Sequence, residues 1–337
     1  MFIVEEPTWA IILCLVTMLC WGSWGNGQKW VTQSAPLYIF YRDYVYGIAG
    51  SALMLAFTLG TLGDEGRPLL EDIRQAEITN LLLALAAGII FNLGNTLLTV
   101  GINQAGLSIA MPVGTGLSLA LGLVVNHIAE PSGNLPLLAA GGGVVLVAIA
   151  LSALAYRAKE KEEEDDEESS SGKNRGVWIA LSGGLALGFF FVIVSSAMSK
   201  ELASPEAGLL TPYSGFLFFA LGILISNPGI EWLVRHFKIS DEDDETKYGE
   251  VPARQHAVGL ASGVLWGVGM IALFLGSPEA GDAVSYGLSQ GATIVSVLWG
   301  LFAWAEFEGA PKKANRFLWF MGIAYVAGLA LIILARA

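Results

Sequence analysis

The sequence predicts an all-α polytopic membrane protein: ten transmembrane helices arranged as two inverted five-helix repeats. Three observations carry this expectation. The 337 residues are 54% hydrophobic and only 14% charged, with a mean hydropathy of +0.59, too apolar for a soluble core and too sparsely charged for a soluble surface. Ten apolar stretches match the roughly 20 residues a helix needs to cross a bilayer. One ungapped shift of 175 residues also lays part of the second half over the first.

The first stretch, 9 to 28, follows "MFIVEEPTW", which has Glu5 and Glu6 but no Lys or Arg. It has no small-residue cleavage site, so it is expected to stay in the mature protein and not to act as a secretory signal. Cys14 and Cys20 stand six apart on this helix, about 9 Å along its axis, too far for a disulfide; redox chemistry is not expected. The stretch ends in "LCWGSWGNGQKW", where Trp21, Trp24 and Asn26 alternate with Gly22, Gly25 and Gly27 in place of leucines. The second, 37 to 60, starts after Pro36 and contains "YIFYRDYVYG". The third, 78 to 100, holds "FNLGN", and the fourth, 105 to 127, holds "GLSIAMPVGTGLSLALG", whose small residues let helix backbones approach. The fifth, 136 to 156, closes the first half. The sixth to tenth run 176 to 197, 211 to 233, 256 to 276, 281 to 304 and 317 to 335.

The 175-residue shift places Gly88 on Gly263, Gly94 on Gly269, Gly101 on Gly276, Gly106 on Gly281, Gly116 on Gly291 and Pro136 on Pro311. The match is convincing for spans 3 to 4 against 8 to 9; spans 1 to 2 and 6 to 7 do not align by eye. The expected units are residues 1–156 as the first five-helix repeat, 157–175 as an acidic cytoplasmic linker and 176–337 as the second repeat. Because five is odd, the halves must lie in opposite orientations, a construction typical of secondary transporters.

Lys and Arg set the orientation. Fourteen of the 18 fall in loops after odd-numbered spans and four on the other side, so both termini are expected outside and the central loop in the cytoplasm. The runs "KEKEEEDDEESSSGKNRG" (159–176) and "SDEDDETKYGE" (240–250) carry 14 of the 30 acids and most of the net charge of −12. Such composition reads as solvated linker, with an acidic partner-binding tail as the alternative. "SSSGKN" (169–174) resembles half a phosphate-binding loop but lacks the upstream glycine, the Ser or Thr after the lysine, and the strand before it. Nucleotide-driven transport is not expected.

Polar groups inside the spans are costly and mark interior cavities or pairings. Asp43 is the best ionisable candidate, either paired with Arg42 or at the interface, or carrying a proton or substrate role. Asn92 and Asn95 lie about one turn apart and share a helix face; they either hold helices together or bind a polar solute. Asn103 and Gln104 are expected in the short turn between spans 3 and 4. Trp21 and Trp24 share a face with Asn26 nearby; Trp24 could be a membrane-belt residue, or the pair could stack on a sugar ring or planar heterocycle. Trp266 stands opposite Phe91 in the repeat, and Tyr286, Ser289 and Gln290 follow at about one-turn spacing.

"CWGSWGN", "YRDYVYG", "FNLGNTLLTVGINQAGLS", "VNHIAE" and "VSVLWGLFAWAEFEG" resemble the ureide permease family of the drug/metabolite transporter superfamily, close to its glucose/ribose/rhamnose porter branch. The resemblance spans nearly all ten stretches in order. It implies ten helices in two inverted halves, a central cytoplasmic loop and proton-coupled uptake, with allantoin and nucleobases carried by plant members and mostly sugars by bacterial ones. It places Asp43 on the family's acidic Tyr-x-Asp-Tyr position, Asn95 on its Leu-Gly-Asn asparagine and Glu306 on the acid ending span nine. Met270 departs from the pattern, standing where plant members have asparagine.

Other classes lack their parts. Asp43 and Asp282 are predicted near opposite membrane faces and cannot form an aspartyl protease dyad. His127, His236 and His256 fall at span ends or in loops, no HExxH occurs, and His127 with Glu130 at a water boundary makes no metal site. The expectation is therefore no enzyme, no cofactor, no metal and no nucleic-acid partner. It is a secondary-active transporter in the plasma (inner) membrane that imports a small polar solute, a sugar, with protons or another coupling ion. Import of ureides or nucleobases, and efflux of a drug-like metabolite, are the alternatives. The expected substrate-binding residues are Trp21, Trp24, Asn26, Asn92, Asn95, Trp266, Tyr286 and Gln290, with Asp43 as the proton-coupling group.

Overall fold

The computed structural model describes all residues except 106, 132, 164–169, 241–245, 306 and 336–337. Among the described residues no strand occurs beyond one isolated bridge, Met198 to Leu210. The helices are α1 (Pro7–Ser23), α2 (Gly25–Val31), α3 (Leu37–Phe57), α4 (Leu69–Gln75), α5 (Ile78–Ala105), α6 (Leu107–Ala129) and α7 (Leu135–Glu163). They continue with α8 (Ser170–Ser195), α9 (Pro212–His236), α10 (Ala253–Ala280), α11 (Asp282–Ser289), α12 (Ala292–Phe302) and α13 (Lys312–Leu334).

Helix starts follow proline. Pro7 and Pro212 stand in the first turn of α1 and α9, and Pro36, Pro68, Pro252 and Pro311 immediately precede α3, α4, α10 and α13. A missing N–H costs nothing there, because the first turn has no intrahelical acceptor for it. Gly281, with φ 83°, separates α10 from α11 in a conformation that side-chain-bearing residues rarely adopt.

Among the described residues seven helices are long and apolar enough to cross a membrane: Pro7–Val31 (α1 with α2), Ile78–Ala105, Leu135–Lys159, Arg175–Ser195, Pro212–His236, Ala253–Ala280 and Lys312–Leu334. The remaining three predicted spans fall on α3, on α6 and on the pair α11 and α12. Helix α3 is diluted by Arg42, Asp43 and four tyrosines, and the ninth stretch is divided into helices of 8 and 11 residues. The outer surface is strongly apolar, with Trp178, Phe302, Trp319, Ile323 and Val326 exposed. In water such a surface would aggregate; in hydrocarbon it is solvated.

Helix α5 packs against α8 and α9, α10 against α1 and α3, α6 against α8, α11 and α12 against α1, and α7 against α13. Glycines set the closest crossings. A Cβ on Gly88 would lie 2.0 Å from the Phe219 carbonyl oxygen of α9, and one on Gly263 would lie 2.0 Å from that of Tyr44 on α3, so at both crossings backbone touches backbone. One buried cluster centres on Phe91, Phe191, Phe219, Trp266 and Phe274; a second joins α6, α7, α11 and α13 through Leu119, Val145, Val284 and Tyr325.

Helix α7 carries the first acids of the 159–176 run, and α8 takes up its end; residues 164–169 between them, and 241–245 of the second acidic run, lie outside the described residues. Gly172 and Lys173 stand in the first turn of α8, not on the loop that a phosphate would need.

Candidate functional site

Two helix interruptions face one another. Between α1 and α2 the chain tightens at Trp24: the Gly27 amide donates to Trp24 O (3.0 Å), three residues back instead of four. This leaves the Ser23 carbonyl over, and the Asn26 side-chain amide donates to it at 2.8 Å. Between α11 and α12 the same tightening occurs at Gln290 and Gly291, with Gly291 N donating to Leu288 O and Ile294 N to Gly291 O, both at 3.0 Å. The two interrupted segments touch: a Cβ on Gly22 would stand 2.5 Å from Ala292 O and 2.4 Å from the Val295 Cβ, and Ser296 Oγ donates to Gly22 O at 2.9 Å.

Beside this crossing lies a cavity of about 310 Å³, bounded by α1 and α2, the C-terminal half of α5, and α12 with Trp304 beyond it. Of the residues proposed from sequence, Trp21, Trp24, Asn26 and Asn95 line it. Gln28, Thr99, Ser296, Trp299 and Trp304, which were not singled out, line it as well, as does Asn103, which was expected in a turn. Thr32 and Asn103 are exposed at its mouth. Asn103 belongs to the last turn of α5, not to a turn between spans, and Gln104 beside it donates to Ile239 O at 2.5 Å.

The indole N–H groups of Trp21, Trp299 and Trp304 are already committed. Trp21 Nε1 donates to Trp266 O (3.3 Å), Trp299 Nε1 to Ser23 Oγ (2.9 Å) and Trp304 Nε1 to Asn26 Oδ1 (2.7 Å). What these tryptophans offer a bound molecule is therefore ring surface. Trp21 is held flat by Trp266, with ring centroids 5.3 Å apart and 3° between planes, and Trp24 leans on Tyr44 at 4.8 Å. Lys29 stands over the Trp304 ring at 4.7 Å.

Asn95 connects the cavity to a buried polar chain. Its amide donates to the Tyr41 hydroxyl (3.1 Å), which donates to Asn92 Oδ1 (3.0 Å); the Asn92 amide in turn reaches Ser226 Oγ (3.0 Å) and Ile223 O (3.2 Å) on α9. With one of its two N–H donors taken, Asn95 keeps a second N–H and its carbonyl oxygen for further hydrogen bonds. Asn92 is fully buried and away from the cavity, clamping α3, α5 and α9. Trp266 stands one layer behind Trp21. Tyr286 is buried between α6 and α8, its hydroxyl 2.6 Å from Ser118 Oγ and donating to Leu187 O at 3.0 Å. Gln290 sits at the α11 to α12 interruption, outside the cavity lining.

Asp43 is 1% exposed, near the start of α3. Arg42 does not satisfy it; that guanidinium pairs with Glu231 of α9 at 2.7 Å. The partners are two residues that spacing did not reveal: the Tyr248 hydroxyl donates to Asp43 Oδ1, and His256 Nδ1 lies 2.7 Å from Oδ2. Burial, and next the bond to this carboxylate, push the Tyr248 hydroxyl up to about 12. A Cβ on Gly259 would stand 2.6 Å from the Asp43 Cβ, so α10 passes directly over the carboxylate. Glu306 lies outside the described residues; Met270 is fully buried in the core.

At the opposite end of the bundle Lys200 bridges Asp282 at the start of α11 (2.7 Å) and Glu130 past the end of α6 (3.0 Å). Burial alone would lower the Lys200 ammonium, but the two carboxylates outweigh it and hold it above its ordinary value.

The family model described as Sugar transport protein matches residues 12–336. The chain is 21% identical over 394 aligned positions to ureide permease 5 of Arabidopsis thaliana, covering 98% of this chain and 95% of that one. It is 25% identical over 255 positions to the glucose uptake protein GlcU of Bacillus subtilis (strain 168), covering 75% and 76%. A solved structure described as "Crystal structure of protein" superposes with a TM-score of 0.66 at 16% identity, over 98% of this chain and 99% of that one, a likeness that concerns the fold.

Proposed function

The chain belongs to the sugar transport protein family, and from that premise we propose a secondary-active transporter that moves a small polar solute, a sugar, across the plasma (inner) membrane by alternating access. The relatives it matches are permeases and uptake proteins by name, and no catalytic role is proposed. The observation that carries the reading is the cavity beside two facing helix interruptions. Interrupted helices around a central cavity are where secondary carriers hold their solutes. Indole faces with their N–H groups already bonded suit the apolar face of a sugar ring, while Asn95, Thr99 and Gln28 suit its hydroxyls.

Ten membrane helices in two inverted halves, 1–156 and 176–337 joined through 157–175, form part of the proposal. The packing supports it. Counting α1 with α2, and α11 with α12, as single spans and leaving out the short α4, advancing every span by five positions turns the contacts of α5 with α8 and α9 into those of α10 with α1 and α3. The same step turns α6 on α8 into α11 and α12 on α1, and leaves α7 on α13 unchanged. With the Lys and Arg distribution read as cytoplasmic loops, both termini lie outside and the cavity mouth faces the cytoplasm. Asp43 is proposed as the protonation group, with another ion as the alternative coupling partner.

A second reading, import of a ureide or nucleobase, draws on the ureide permease relatives and on indole rings that would stack on a planar heterocycle equally well. Uptake into proteoliposomes of labelled glucose, ribose, rhamnose, allantoin and uracil, with and without an inward proton gradient, separates the two. Gradient-stimulated sugar uptake is the expected result. Heterocycle uptake alone selects the second reading, and no uptake by folded protein points to efflux of a different solute class.

A further inference from the structure

We propose that Asp43 and His256 form a proton-binding site in which one shared proton fastens the short loop turn Tyr248–Glu250, just before α10, onto α3; its use in transport rests on the carrier reading above, whereas its chemistry does not. The hydrogens at this contact can be counted. His256 Nε2 lies 3.0 Å from the Tyr248 carbonyl oxygen, and a carbonyl can only accept, so Nε2 carries a hydrogen. His256 Nδ1 lies 2.7 Å from Asp43 Oδ2, a separation at which one hydrogen must stand between the two atoms. Either the imidazole is doubly protonated beside a carboxylate, or a neutral imidazole accepts from a carboxylic acid. In both cases the pair holds one proton more than a carboxylate with a neutral histidine, and the proton belongs to the pair.

Removing that proton leaves the imidazole one hydrogen for two acceptors: kept on Nε2 it turns the Nδ1 lone pair on the carboxylate, and moved to Nδ1 it turns the Nε2 lone pair on the Tyr248 carbonyl, so one of the two contacts is lost in either tautomer. Asp43 is almost wholly buried, so water cannot repair the contact while the loop stays in place, and the loop must move away. Tyr248 is not the source of the proton, since its hydroxyl is held well above neutrality.

The other titratable and charged groups around the pair are Arg42 and Tyr46 on α3 and Glu231 and Arg235 on α9. Arg254 at the start of α10 stacks over Trp30 of α2, Lys29 of α2 over Trp304, and Lys247 and Glu250 flank Tyr248 in the loop. Arg42 is engaged by Glu231 and lies over the Tyr248 ring at 5.5 Å, so it braces the tyrosine and leaves the aspartate to His256. The consequence reaches the cavity through α10, which carries both His256 at its first turns and Trp266, the ring that holds Trp21 flat.

The test reads the loop directly. Val251 is buried on it and Gly249 exposed. In the full chain in liposomes, the thiol-labelling rate of Val251→Cys is divided by that of Gly249→Cys at each pH, which cancels the ionisation of the thiol itself. The ratio should rise about tenfold per pH unit once the pair loses its proton. In Asp43→Asn the side-chain amide supplies the hydrogen to Nδ1 permanently, and the ratio should stay flat within about twofold from about pH 5 to about pH 9. His256→Gln, which donates without titrating, should also be flat and serves if the first variant fails to fold. A flat ratio in the parent, or an Asp43→Asn profile that titrates like the parent, overturns the proposal. Solute counterflow in the same vesicles is read in parallel: its absence in the parent sinks the carrier reading and leaves the outcome of the labelling unaffected.

Discussion

At the scale of single residues, Asn92 and Asn95 show what one-turn spacing tells and what it leaves open. The sequence puts both amides on one face; the structure gives Asn95 to the cavity and Asn92 to the junction of α3, α5 and α9. Replacing Asn95 by Leu should therefore raise the half-saturation concentration of the transported solute about tenfold, the worth of one hydrogen bond of about 1.4 kcal/mol. Asn92→Leu should lower the Tm with little effect on affinity. Reversal of that pattern in uptake and melting measurements would exchange their roles. Trp21, Trp24, Asn26 and Asn95 were legible because aromatic and amide groups stand out within an apolar run. Trp299 and Trp304 were not, because tryptophan near a span end reads as a membrane belt. The pairing of Asp43 with His256 joins positions 213 apart, and no local spacing encodes it.

At the scale of elements, the helix centres were legible from hydropathy, and their ends less so. The third span was expected to stop at 100, yet α5 runs to Ala105; Asn103 and Gln104 read as turn residues, but at a wet helix end polar side chains continue a helix without penalty. The interruptions at Trp24 and at Gln290 and Gly291 were not legible as interruptions, since glycine and amide residues there are equally compatible with close packing. Where glycines do mark a crossing, the structure makes the cost definite. Gly263→Val would drive a side chain into the Tyr44 carbonyl at a crossing of α10 and α3 with no flexible neighbour to yield. A loss of about 1–3 kcal/mol follows, read as a lowered Tm. By contrast Gly50→Ala on α3, where a Cβ meets nothing within 4 Å, should leave Tm unchanged or slightly raised. Equal melting of the two variants would mean that α3 and α10 are not locked together at this crossing.

At the scale of the whole molecule, the 175-residue shift was visible in glycines of spans 3 to 4 and 8 to 9, and the packing gives those glycines a reason. Gly94 and Gly101 face α8, and their counterparts Gly269 and Gly276 face α1, the helices that the five-position step exchanges. Under the proposed two-repeat arrangement, spans 1 to 2 and 6 to 7 share placement against these glycines and not residue type, so they do not align by eye. In this conformation the bundle is tied at one end by Lys200 with Asp282 and Glu130, and opens at the other beside Asn103 and Thr32. The central claim is that the transported solute occupies the cavity between α1 and α2, α5 and α12. Gly25 lines that cavity and has room for a side chain, so the deciding measurement is the thiol-labelling rate of Gly25→Cys with and without the solute that crosses. Slowing by about tenfold at ten times half-saturation is the predicted result; an unchanged rate, while the same solute is transported, would place the solute elsewhere and contradict the account.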